Sequence, residues 1–253
     1  MPGPQYQQKP FVHSSAVWTC PEPSASMDER ALAEFDPNDS LMQFAHETLK
    51  SIRVAGRGCT DACRALHQDL SQSEGARHVG ASEIAFKLSK PALGLVDKSN
   101  EKFGQEITRL QNKIAAPVPD NTIRGVQLAT ELRIYLRDQT PDARRREITR
   151  SLESGDDQTM SAILSAPAML SGLSQNEVDG FRLMWQRKRF PNELARIAQL
   201  EKAHGAVNLG GQLLLSHQLK MSAPAIVAEA KKFRDASADA VRAATGAAYE
   251  PKH

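Results

Sequence analysis

Cys59, Cys63 and His67 recur at i, i+4 and i+8, a spacing that places all three on roughly one face of a helix. Thiolate and imidazole are the ligands of a soft metal, which wants a closed tetrahedral set. A fourth ligand would have to come from elsewhere, from Cys20, His46 or His78. Structural zinc usually takes its ligands from turns and C-x-x-C knuckles, not from successive turns of one helix. Small residues buried on an inner helix face account for the cysteines more simply. A cysteine nucleophile with His67 as its base lacks a third residue to orient the ring.

Other chemical signatures fail on inspection. His46-Glu47 opens like a metalloprotease motif, but Lys50 stands where the second histidine belongs. Gly210-Gly211 and Gly56-x-Gly58 are too short for a phosphate loop. The chain has no Walker lysine, no dinucleotide fingerprint and no G-x-S-x-G. Its acids are scattered or sit at helix starts. Catalysis needs polar groups that converge in a pocket, and no such set can be named. The expectation is a protein that is not an enzyme, with no catalytic residue, cofactor or metal.

Two basic clusters remain: Arg144, Arg145, Arg146 and Arg150, and Arg182 with Arg187, Lys188 and Arg189. Arginine can hold phosphate bidentately, and Trp185 beside the second cluster could stack a base. No helix-turn-helix or other nucleic-acid module can be traced. Trp185 shares a helical face with Phe181 and Met184, which makes it a core residue. The simpler reading is solvated faces, ion-paired to the acidic stretch Glu22 to Glu47, where seven acids meet one base, Arg30. Nucleic-acid contact is the less favoured alternative.

The segment most open to a partner comes first. Residues 1–27 are rich in Pro, Gln and Ser, a composition that stays extended or disordered alone in water. Four large apolar residues, Phe11, Val12, Val17 and Trp18, are wasted on such an arm unless they dock. They can pack on their own chain or on a neighbouring subunit. The second choice points to a homo-oligomer or to other assembly proteins as partners.

The elements that must position these residues read as helices throughout. No period-2 run of β-branched residues appears, and the long segments share the 3.6-residue period. Ser40 caps a helix carrying Leu41, Phe44, Leu49 and Ile52. Gly56 and Gly58 read as a break, with a new start at Thr60 or Asp61. A further helix is expected after Gly80, broken or kinked at Pro91. Phe103, Ile107, Leu110 and Ile114 form a short heptad-like seam, of the kind one helix of an intramolecular bundle shows. Asp120 or Asn121 caps a helix with Ile123, Val126, Leu128, Leu132 and Leu136. Three sharp starts follow: Thr140-Pro141, Asp156-Asp157 after Gly155, and the capping box Ser174 to Glu177 after Gly172. Gly205 reads as the end of the long helix after Pro191. Residues 207–221 read as a helix with a hairpin as the rival, and Ser222-Ala223-Pro224 starts an alanine-rich last helix.

The fold class is therefore all-α, a multi-helix bundle with an extended Pro-rich N-terminal arm. It divides into 1–27, 28–116, 120–205 and 206–253. The 253 residues are 40% hydrophobic and carry a net charge of +2, which favours no partner by itself. No signal peptide, membrane span or disulfide framework is legible. A soluble protein of a reducing compartment is expected, cytoplasmic or carried in a virion.

The run Ala162 to Ser174, followed by Glu177 and the helix to Ala203, resembles a segment of small helical proteins encoded in phage and prophage genomes. The resemblance covers about a sixth of the chain and brings no catalytic residue with it. It implies a phage-associated protein, a virion or head or tail assembly component.

Overall fold

Helices account for nearly all of the computed structural model, which describes residues 20–24, 38–115 and 119–245. The helices are α1 (Ser40–Gln68), α2 (Glu74–Lys113), α3 (Ile123–Asp138), α4 (Pro141–Ser154), α5 (Asp157–Leu164), α6 (Gln175–Arg189), α7 (Pro191–Lys220) and α8 (Pro224–Thr245), with a 3-10 turn at Ala168–Ser171. No strand occurs among the described residues, so the all-α expectation holds. None of these helices is long and apolar enough to cross a membrane. The residues of the proposed arm, Phe11, Val12, Val17 and Trp18, lie outside the described residues.

The chain forms two compact units, each built from separated stretches. Of the described residues, 20–24, 49–94 and 209–245 make one, and 38–48, 95–115 and 119–208 make the other.

Three long helices run further than their glycines and proline suggest. α1 is unbroken through Gly56 and Gly58, and α2 passes through Pro91. α7 continues through Gly205 to Lys220, which corrects both the stop at Gly205 and the hairpin alternative. An interior glycine costs about 1 kcal/mol in a helix, and packing outweighs it. Buried positions of α7 include Leu200, Ala203, Val207, Gly210, Leu214 and His217, closed by Met221. They alternate in steps of three and four, as a packed seam requires. A Cβ on Gly210 would stand 3.0 Å from Leu49 Cδ2, so the glycine sets how closely α7 meets α1 there. In α2 the seam is Ala85, Ser89, Ala92, Val96, Ser99 and Phe103. Pro91 lies off it on the exposed side, where water can reach the carbonyl left without a donor. α2 also starts earlier than expected, at Glu74 rather than after Gly80, with Ser73 Oγ accepting from the Ala76 N–H.

In the second unit the seam Phe103, Leu110 and Ile114 is buried intramolecularly, and Phe103 stacks on His204 at 5.9 Å. Thr48 bonds Ser99, His204 bonds Asn100 Oδ1 at 2.9 Å, and Gln186 donates to the Ile114 carbonyl at the end of α2. Helices α3 to α6 close around Leu136, Ile148, Leu152, Met160, Ile163, Val178, Phe181 and Trp185. Their caps follow the sequence. Thr140 accepts from Ala143 ahead of Pro141, Asp156 accepts from Gln158 and Thr159, and Ser174 with Glu177 completes a capping box. Gly155 and Gly172 end their elements at φ 76° and 69°, the left-handed region glycine enters freely. Two caps move: Asp39 rather than Ser40 caps α1, its carboxylate accepting from the Leu41 and Met42 N–H groups, and Thr122, not Asp120 or Asn121, starts α3, with Asp120 accepting from the Thr122 N–H.

Candidate functional site

The first basic cluster comes apart residue by residue. Arg144 is buried, and its guanidinium donates to the carbonyls of Leu136, Arg137 and Gln139, the last turn of α3, and to Gly172. It serves as a C-terminal cap, covering carbonyls that a helix end leaves orphaned. Arg145 grips Glu177 through Nε at 2.9 Å and Nη2 at 2.7 Å. The Ser174 backbone N–H, then Arg145 and the Ser174 hydroxyl, hold the Glu177 carboxyl down to about 2. Arg150 pairs with Glu147 on its own helix.

The second cluster behaves alike. Lys188 donates to the carbonyls of Leu152 and Glu153, capping α4, and Arg182 reaches the Leu164 carbonyl at the end of α5. Arg189 pairs with Asp157, whose other oxygen accepts from Trp185 Nε1. Trp185 is thus a core residue edge-on to Phe190. Met184, expected beside it, faces solvent instead. Among the described residues, Arg146 and Arg187 are the cluster members with no hydrogen bond or ion pair. Among the described residues, the acidic partners of the clusters are Glu147, Asp157, Glu177 and Asp179.

The thiol constellation is also rearranged. Cys59 and Cys63 are 1% exposed, whereas His67 faces solvent, so α1 does not present the three together. Cys20 comes to Cys63 instead, with sulfurs 2.9 Å apart. Cys59 turns to α2, donating to the Ala85 carbonyl. Burial, with the neighbouring Cys20 thiol, pushes Cys63 up to about 12, so it is a thiol at neutral pH. Nearby, His217 Nε2 donates to the Gly56 carbonyl at 3.0 Å and lies 3.1 Å from Thr60 Oγ1, which donates to Pro21. His78 Nδ1 accepts from the Ala223 N–H. Burial lowers both rings below the ordinary histidine value, so both are neutral. These are histidines serving as fixed hydrogen-bond groups. Among the described residues, no three His, Cys, Asp or Glu side chains are arranged to hold a metal ion.

What sequence reasoning missed is a surface. Leu136 fills the core side of α3 and Leu128 and Leu132 are half-buried, but Ile123 is 89% exposed, Val126 54% and Ile134 44%. With Thr130 these residues are spaced three, four and four, and so share one outward face of α3. The helix is apolar on two opposite sides. The mixture of the two stripes hid this in the sequence, because both look like core. Met169 and Leu170 on the 3-10 turn, and Leu183 and Met184 on α6, are exposed as well. In the other unit, a groove of about 780 Å³ lies between the first turns of α2 and α8, lined by Gly75, Val79, Gly80, Ala230 and Phe233.

No family model matches the chain, and no curated protein or solved structure matches it at a significant level.

Proposed function

We propose that the protein is a non-enzymatic structural or assembly component that works through protein–protein contacts as a homo-oligomer. The observation that carries this reading is the outward stripe Ile123, Val126 and Ile134. A helix with an apolar face on each side needs a partner on each side, and exposed apolar patches mark interaction sites. A second copy fits the stripe. In an antiparallel pairing about Thr130, Val126 meets Ile134 and Arg124 lies beside Asp138 of the other copy, which gives opposite charges at both ends. α3 is 16 residues long, about 24 Å of contact line. The resemblance of residues 162–203 to phage-encoded helical proteins supplies the sharpest version, a virion or head or tail assembly component. Phe11, Val12, Val17 and Trp18 form the second docking element of this reading.

The alternative, a nucleic-acid-binding or regulatory protein using the arginine clusters, is weakened by how many of those groups cap helices or pair locally. The discriminating experiment is native mass by light scattering on the wild type and on Val126→Glu/Ile134→Glu. The variant is expected to stay helical and to lose mass to the monomer. An unchanged mass removes α3 as the assembly face.

A further inference from the structure

We infer that Cys20 and Cys63 form an oxidisable pair, a disulfide site that ties the chain before α1 to α1 itself. Their sulfurs are 2.9 Å apart. A disulfide requires about 2.05 Å, so closure asks for a movement under about 1 Å. The hydrogen bonds around the pair already favour it. The Cys63 thiol donates to the Met221 carbonyl at 3.4 Å, while Cys20 donates to Cys63. The Cys63 sulfur therefore turns its lone pairs toward Cys20. Cys59 is excluded by direction, since its thiol is spent on Ala85 and Ser89 of α2.

Access differs between the partners. Cys20 is partly exposed, whereas Cys63 is sealed. Oxidation therefore begins at Cys20. With a small-molecule disulfide such as oxidised glutathione, the Cys20 thiolate attacks one sulfur and one glutathione leaves. The Cys63 sulfur, giving up its proton, then attacks Cys20 Sγ and expels the second glutathione. Two protein thiols are oxidised to one disulfide, one small disulfide is reduced to two thiols, and the two thiol protons end on the two glutathiones.

The bond has something to secure. Residues 20–24 also meet α1 through the Thr60 hydroxyl, which donates to the Pro21 carbonyl, and through an exposed Arg64–Glu22 ion pair. Exposed pairs of that kind contribute little. The disulfide would make this anchorage covalent and independent of salt. It would fix the root of the apolar N-terminal segment whatever that segment docks on, so the inference does not rest on the assembly reading.

The test uses the intact wild-type chain, incubated with excess oxidised glutathione, then denatured and mapped by mass spectrometry without reduction. The expected result is a fall from three free thiols to one, with a Cys20–Cys63 cross-linked peptide inside a single chain and Cys59 free. In Cys63→Ser the expected product is instead a glutathione adduct on Cys20. Three free thiols after oxidation, a wild-type protein that stops at the Cys20 adduct, a bridge containing Cys59, or a bridge between chains would each overturn the inference.

Discussion

Arg144 spends the hydrogen-bonding fork of an arginine on the fold itself. Three successive arginines suggest an anion site, yet the first satisfies four carbonyls from inside the fold. Replacing it with alanine leaves the last turn of α3 without donors in a buried place. Arg144→Ala is expected to lose about 2–4 kcal/mol of stability in urea unfolding. Arg144→Lys is expected to recover less than half, because an ammonium cannot reproduce the fork. The neutral histidines give a second prediction. His78 and His217 lie below the ordinary value of 6.5, chiefly through burial. As pH falls, the unfolded chain therefore takes up protons before the folded one. Their contribution is complete above about pH 6.5 and is lost as pH falls from there through the lowered folded values. The melting temperature is expected to hold between about pH 8 and 7 and to drop between about 6.5 and 5, with a shallower drop in His217→Gln. Glu177, held at about 2 against an ordinary 4.5, works in a different window. Its contribution is present above 4.5 and disappears only as pH falls toward 2.

At the scale of the element, the glycines of α7 separate two roles that look identical in the sequence. A Cβ on Gly205 would meet nothing within 4 Å, and one on Gly210 would meet Leu49 at 3.0 Å and Ile52 at 3.3 Å. Neither residue has a positive φ. Gly205→Ala is thus expected to stabilise by about 0.5–1 kcal/mol, the helix preference of alanine over glycine. Gly210→Val, in contrast, is expected to destabilise by about 1–3 kcal/mol through overpacking against α1. Thermal unfolding of the two variants side by side checks both, and a shift of the same sign in each would refute the account of α7 as a seam spaced by its glycine. The expected helix ends at Gly56, Gly58 and Gly205 failed for one reason. Local breakers act with about 1 kcal/mol, and a helix that buries a continuous seam recovers more than that.

At the scale of the molecule, the proposed function rests on surfaces rather than on a pocket. Deletion of residues 1–27 is expected to lower the native mass independently of the α3 substitutions, since the two proposed docking elements are distinct. An assembly state untouched by the deletion counts against the arm. The two compact units each draw on separated stretches of chain, whereas the sequence invites a division in order, at Pro117 to Pro119 and Gly205. The difference arises because α1, α2 and α7 each contribute residues to both units. Composition and punctuation follow the chain, and contacts between distant segments do not.

By itself the sequence determined the helical class, the caps of α4 to α6, the buried tryptophan and the seam of α2 after Phe103. These are local matters of period, cap and turn, decided within a few residues. Only tertiary structure decided which apolar stripe of α3 faces the core, which arginines become caps, and that Cys20 rather than His67 meets Cys63. Each of these depends on a partner far away in the chain, and no spacing along one helix encodes it.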